Sequence, residues 1–145
     1  MKTPLSMLLT DKGNNVYSVS SNETAHHCAQ KMNQFNIGIL LVVENDKILG
    51  IVSERDIVRK VVSPELDPKT TSIAEIMTAK VITASLKTTV GEAMHILTEH
   101  RFRHLPLAEN GKLQGLISIG DLTRWVIRSQ ERDISSLTEY IGGSR

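Results

Sequence analysis

Two short pairs of residues carry the chemistry this chain could perform: Ser53 with Asp56, and Ser118 with Asp121. Each has the spacing Ser-x-x-Asp, and each follows a glycine by three residues, Gly50 and Gly115. In one reading the pair is a helix start. The serine hydroxyl caps the first turn and the aspartate sits at the positive helix end, together worth ~1–2 kcal/mol. In the other reading the same geometry is a binding site. Free N–H groups at a helix start attract an anion, and a carboxylate beside them can accept both hydroxyls of a ribose. Residue types and spacing favour the two readings equally.

Other reactive residue types form no constellation. The chain lacks a Walker phosphate loop, G-x-G-x-x-G, H-E-x-x-H and G-x-S-x-G, and no nucleophile, base and metal set converges, so no catalytic residues and no enzyme are expected. The histidines are His26, His27, His95, His100 and His104. His100 and His104 are four apart, but a strand is predicted from about His104, and matching carboxylates or thiolates are missing. No metal site is expected. Cys28 falls on an apolar helix stripe and reads as a buried small hydrophobe rather than a reactive thiol. Arg124, Arg128 and Arg132 recur every four residues, but Glu131 and Asp133 interrupt the face, which reads as solvated helix surface rather than a phosphate-binding stripe.

The composition narrows the partners. At 145 residues the chain has the size of one domain, too short for a large multidomain enzyme. It is 40% apolar and 23% charged, as a soluble globule is. Seventeen Lys and Arg against sixteen Asp and Glu leave a net charge of +1, with no field to steer nucleic acid or an anionic membrane. The five aromatics, Tyr17, Phe35, Phe102, Trp125 and Tyr140, are too few for a base-stacking surface. Cys28 alone forms no intramolecular disulfide and fits a reducing compartment. The apolar run Ile37 to Val43 falls far short of the ~20 residues of a membrane span. Met7-Leu8-Leu9 is too short for a signal-peptide core, and a cytoplasmic location is expected.

The elements that must position the two pairs repeat with them. Shifted by 65 residues, Ile37–Arg59 falls on Phe102–Arg124 without a gap, and eight of the 23 positions are identical. The register extends upstream, where Val16, Ser20 and Thr24 fall on Val81, Ser85 and Thr89. Each copy reads as a short strand (Val16–Val19; Val81–Ala84), then a helix. The helix stripes are Ala25, Cys28, Ala29 and Met32, and Val90, Ala93, Met94 and Leu97, at the spacing i, i+3, i+4, i+7. Thr89 with Glu92 predicts a capping box. Two strands follow, Ile39–Glu44 with Ile48–Ser53 and His104–Glu109 with Leu113–Ser118, joined at Asn45-Asp46 and Asn110-Gly111 as tight hairpins. A second helix starts at Glu54 or Ile119. Leu5–Leu9 and Ile73–Met77 predict an extra helical turn before each copy, and Ser63–Lys69 links the copies. Glu131–Ile141, with Ile134, Leu137 and Ile141 at helical spacing, predicts a tail helix without a counterpart, stopped by Gly142-Gly143. Its stripe must bury itself against the body or another subunit.

The stretches Gly50-Ile-Val-Ser-Glu-Arg-Asp-Ile-Val-Arg and Arg103-His-Leu-Pro-Leu-Ala-Glu-Asn-Gly-Lys-Leu-Gln-Gly-Leu-Ile-Ser-Ile-Gly-Asp-Leu resemble a tandem pair of CBS domains, or Bateman module, over about residues 4–130. Ile76-Met77-Thr78 and Leu137-Thr-Glu-Tyr-Ile resemble its small stand-alone bacterial members. The resemblance implies an α/β (α+β) fold: two β-α-β-β-α repeats related by pseudo-twofold symmetry, plus a C-terminal helix. Residues 4–62 would form the first repeat, 63–71 the linker, 72–130 the second repeat and 131–145 the C-terminal helix and tail. It also implies adenosine-containing ligands in the clefts between the copies and modules that pair into discs.

Carried onto this chain, the family's ribose acid falls on Asp56 and Asp121, and its hydroxyl near the phosphate on Ser53 and Ser118. The segments lining the cleft fall on Gly38-Ile39 and Arg103-His104. Val16 and Val81 would bracket the base, with Lys80 nearby. Arg55 would offer the first copy the phosphate partner that Arg103 or His104 offers the second. The resemblance thus implies a non-enzymatic regulatory module binding AMP, ADP, ATP or an NAD-type molecule, with AMP foremost, no obligatory cofactor, a homodimer and an unnamed protein partner. A constitutive dimerisation or interaction module with empty clefts stays open, as does a nucleic-acid binder using Arg124, Arg128 and Arg132. A membrane partner is not expected.

Overall fold

The computed structural model describes residues 1–12 and 16–143. The chain forms two compact units, neither continuous in sequence. The first unit comprises Asn15–Thr83 with Ala108–Gln114; the second comprises Met1–Asn14, Ala84–Leu107 and Gly115–Arg145. Five strands follow the order β1-β2-β3-β5-β4.

In the first unit β1 (Ser18–Val19) runs parallel to β2 (Ile39–Glu44), which pairs antiparallel with β3 (Lys47–Ser53). The hairpin turn places Asn45 at φ 51° and Asp46 at φ 64°. Two consecutive left-handed residues match the twist of the strands, and Asn and Asp tolerate that conformation better than other side chains. Lys47 pairs in turn with Lys112 of β5 (Lys112–Ser118). Helix α2 (Ala25–Phe35) is started by Thr24, whose hydroxyl accepts from His27 N, and buries Ala25, Cys28 and Met32. These pack with Val19, Leu40, Val42, Val52, Val61, Ile73 and Ile76 as one apolar core. Helix α3 (Glu54–Ile57) follows β3 directly and continues as a π-helical turn over Val58–Val62. The short α4 (Ile73–Ile76) is tied to the start of α2 by Ile73 N donating to Glu23 O and Ala25 N donating to Thr71 O.

The second unit uses the same parts. Helix α5 (Val90–His100) starts with the predicted capping box of Thr89 and Glu92 and buries Val90, Ala93 and Leu97. Strand β4 (His104–Glu109) turns through Asn110 (φ 53°) and Gly111 (φ 78°) into β5. Helix α1 (Leu5–Lys12) joins this unit, not the repeat that follows it in sequence. Leu5 N donates to Thr88 O and Val90 N donates to Thr3 O, the same joint that α4 makes in the first unit. Leu5, Leu8 and Leu9 are buried, as are Leu105, Leu107, Ile117 and Leu122 of the same unit.

Two expectations differ from the structure. Val81–Ala84 is not a strand; it keeps a single parallel bridge, Ala84 with Leu107. In the first unit Leu41 N donates to Tyr17 O, which helps zip β1 onto β2. The residue 65 positions on from Leu41 is Pro106. Proline has no N–H to donate, so that bond has no equivalent. The tail helix is not separate either. Helix α6 runs unbroken from Ile119 to Gly143, since no glycine or proline interrupts Leu122 to Ile141.

Candidate functional site

Both serine–aspartate pairs close into the same reciprocal arrangement. Ser53 caps α3: its Oγ accepts from Asp56 N at 3.2 Å, and Asp56 Oδ2 accepts from Ser53 N at 2.9 Å. Ser118 and Asp121 repeat this at α6, with Asp121 N to Ser118 Oγ at 3.1 Å and Ser118 N to Asp121 Oδ2 at 2.8 Å. Two orphan N–H groups of each helix start are thereby satisfied by side chains. The strand before each pair is held against the segment entering β2 or β4. Glu54 N donates to Gly38 O, and Ile119 N donates to Arg103 O. Ile39 lies opposite Ser53 in the β2–β3 register.

The surroundings of the two carboxylates differ. Asp56 Oδ1 pairs with Lys60 Nζ at 3.1 Å, one turn along the same helical stretch, and Lys60 also donates to Ile76 O at 2.9 Å. Glu54 adds a second acid: its exposed side chain lies over Gly38, with Oε1 2.5 Å from where a Cβ there would sit. Arg55 is exposed. Gly50 plays a matching part behind the pair. A Cβ there would sit 2.8 Å from Thr78 O, and Ile51 and Thr78 exchange backbone hydrogen bonds. That bridge draws the segment leading to Lys80 and Val81 into the first unit; Lys80 is exposed and Val81 half-buried. Val16, also half-buried, leads into β1 of the same unit.

Asp121 is enclosed by cations. Lys12 Nζ, from the last turn of α1, donates to Asp121 Oδ2 at 2.5 Å and to Leu116 O at 2.7 Å. Arg124 donates to Asp121 Oδ1 at 2.5 Å. Burial opposes ionisation of Asp121, but the Lys12 hydrogen bond, the Ser118 N–H and the charge on Lys12 together hold its pKa below the usual 3.8. His104 is half-buried beside them. Burial lowers its pKa most, the charges on Lys12 and Arg103 lower it further, and Asp121 opposes them. The imidazole therefore stays neutral at pH 7 and can both donate and accept a hydrogen bond.

The structure thus brings Ser53 and Asp56 together with Gly38 and Ile39, and Ser118 and Asp121 together with Arg103 and His104. Sequence reasoning missed Lys60, Glu54 and, above all, Lys12. It also assigned Arg124 to a solvated face, whereas its guanidinium engages Asp121. Cys28 is fully buried, and burial first, then the Glu23 charge, pushes its thiol up to about 12, with Lys31 opposing. Among the described residues no group of three or more His, Cys, Asp or Glu could hold a metal ion, and no helix is long and apolar enough to cross a membrane.

Comparison with known proteins places this geometry. The CBS-domain family model matches residues 10–63 and 73–128. A mitochondrial CBS domain-containing protein of Arabidopsis thaliana is 34% identical over 129 residues, which are 86% of this chain but 63% of that protein's length. Among solved structures, a protein with CBS domains from Burkholderia ambifaria is 46% identical, with a TM-score of 0.81, covering 88% of this chain and 96% of that one. A CBS-domain protein from Pyrobaculum aerophilum, solved in complex with AMP, is 26% identical with a TM-score of 0.72, covering 81% and 88%. With a reciprocal serine–aspartate pair closing the last strand of each repeat, and both repeats matched over nearly their whole length, the chain belongs to the CBS-domain family as a tandem pair.

Proposed function

We propose that this CBS-pair regulatory module is non-enzymatic and binds an adenosine-containing nucleotide, AMP foremost, through Asp56 or Asp121. The observation that carries the reading is the arrangement at both helix starts: a half-buried carboxylate, backbone N–H groups and cations within one patch. A ribose offers two hydroxyls to the carboxylate, and a phosphate is matched by Arg55 and Lys60 at the first repeat or by Lys12, Arg103 and His104 at the second. Ser53 and Ser118 would stand near the phosphate, Gly38, Ile39, Val16 and Val81 near the base and sugar, with Lys80 on the same side of the first unit. The AMP complex of the Pyrobaculum relative supports this ligand class.

Calorimetric titration of AMP into wild type, Asp56→Ala and Asp121→Ala tests it. A charge-assisted hydrogen bond is worth ~1.5–3 kcal/mol. Loss of the carboxylate at an occupied site should therefore weaken binding tenfold or more, about 1.4 kcal/mol. Wild type that binds no adenine nucleotide, or affinities untouched by both substitutions, would defeat the reading.

A second reading, a dimerisation module, is favoured by α6. Ile127, Ile134, Leu137 and Ile141 lie along this helix and are 49–64% exposed, so the stripe is not buried on the chain's own body. A second copy of the chain is the partner this reading gives it, and a homodimer is compatible with nucleotide binding. The protein that the module would regulate is a separate partner.

A further inference from the structure

The two centres differ most at Lys12. Lys12 comes from a segment that lies 109 residues before Asp121, yet its ammonium holds Oδ2 of that carboxylate and the Leu116 carbonyl at once. Arg124 holds Oδ1. Both oxygens that two ribose hydroxyls would use are therefore occupied by cations. Asp56 has a lysine on one oxygen only, at 3.1 Å, and that lysine belongs to its own helix. The joints made by α1 and α4 lie 68 residues apart, so Met77 beside Gly50 answers to Leu9 beside Gly115, and Lys12 answers to Lys80, which is exposed, while Asp56 pairs with Lys60 instead. The charges differ as well. Lys12, Arg103 and Arg124 accompany a single acid, Asp121, in the second repeat, whereas Arg55 and Lys60 accompany Glu54 and Asp56 in the first.

Resting on the nucleotide reading, we propose that Lys12 makes the second repeat select phosphorylated nucleosides over unphosphorylated ones. For a ribose to reach Asp121, the ammonium must leave its carboxylate. Asp121 is the half-buried partner, and separating the pair costs free energy unless the ribose hydroxyls receive the carboxylate and another anion receives the ammonium. A phosphate does so and a bare nucleoside does not. The lysine side chain is 36% exposed and flexible, so it can swing from Oδ2 to a phosphate oxygen without moving α1. In the first repeat Lys60 stays one turn from Asp56 whatever binds, and discrimination there is weaker. Lys12 is thus a specificity-determining residue that blocks the site against the wrong ligand and grips the right one.

The test is the ratio of AMP to adenosine affinity, measured by calorimetry in an Asp56→Ala background so that the second repeat is read. Lys12→Met, which removes the charge and keeps an unbranched side chain of similar reach, is expected to lower the ratio at least tenfold. Adenosine should bind more tightly as AMP binds more weakly. Lys12→Arg should keep the ratio within about threefold, because the cation remains. Lys12→Gln serves as a second neutral variant, with circular dichroism confirming that each protein is folded. A ratio unchanged in both neutral variants, with AMP still bound, overturns the proposal while leaving the nucleotide reading intact. Absence of AMP binding in wild type as well overturns both.

Discussion

Replacing Asp121 by alanine should cost more stability than replacing Asp56, although the two occupy the same position in their repeats. Each substitution removes one arm of a capping box and leaves a strand-end N–H, Ser53 or Ser118, without its carboxylate acceptor. Such a loss is worth ~1 kcal/mol at each site. Asp56 further releases Lys60, which is 44% exposed, and an exposed pair one turn apart on a helix contributes only ~0.3–0.5 kcal/mol. Asp121 releases two cations. Arg124 is 62% exposed and adds little, but Lys12 also ties α1 to the unit that covers its leucines. Discounted for its own exposure, that pair is worth ~0.5–1 kcal/mol. The expected losses are about 1.3–1.5 kcal/mol for Asp56→Ala and, allowing about 0.3 kcal/mol for Arg124, about 1.8–2.3 kcal/mol for Asp121→Ala. Urea unfolding followed by circular dichroism reads the difference as a midpoint lower by roughly 0.2–0.5 M for Asp121→Ala, with a slope of ~2 kcal/mol per M. Salt at about 1 M should narrow the gap by screening Lys12. An Asp56→Ala protein that is as unstable as Asp121→Ala, or less stable, would refute the assignment of this extra stability to Lys12.

Two further outcomes are expected. His104 has its folded pKa below 6.5, so the folded state resists a proton that the unfolded state accepts. Its contribution is complete above that value and is lost as pH falls through the folded pKa. The melting temperature should therefore drop less steeply between about pH 7 and about pH 5 in His104→Gln than in wild type, and equal slopes would contradict it. Ile134→Asp with Leu137→Asp should shift sedimentation toward monomer at ~50 µM while leaving the melting temperature of the body nearly unchanged, since both side chains are exposed on α6; an unchanged sedimentation coefficient would remove α6 from the interface.

The strength of the sequence reading lay where a local rule and the tertiary fold agree. Asn45-Asp46 and Asn110-Gly111 adopt positive φ because the hairpin twist demands it, and these residue types accept it at low cost. The helix stripes through Cys28 and Ala93 bury six of the eight side chains their spacing selects, with Ala29 and Met94 half-buried. Ser53, Asp56, Ser118 and Asp121 form caps because capping needs only three intervening bonds of chain. Reasoning failed where one residue overrides the repeat or where partners are remote. Pro106 denies the second copy a hydrogen bond that Leu41 gives the first, and the strand expected over Val81–Ala84 shrinks to a bridge. Lys12 was invisible because nothing nearby in sequence marks it as a partner of Asp121. One signal did exist: Gly50 and Gly115 repeat, and each leaves room for a close neighbour, Met77 at the first and Leu9 at the second. Met77 and Leu9 are 68 residues apart, and the same step leads from the basic Lys80 back to Lys12.

The membership of α1 in the second unit has a consequence for how the protein is made. Leu5, Leu8 and Leu9 leave the ribosome long before their partners, since the strands and helices that bury them begin with Ala84 and end beyond Asp121. Lys12 waits 109 residues for its carboxylate, which at ~5–20 residues per second is roughly 5–20 s of synthesis. Throughout that interval a short apolar segment stays uncovered, even once Ile73 and Ile76 have been made and can join the core of the first unit. A nascent chain arrested after residue 62 therefore offers a chaperone the three leucines Leu5, Leu8 and Leu9, and one released after residue 130 no longer does.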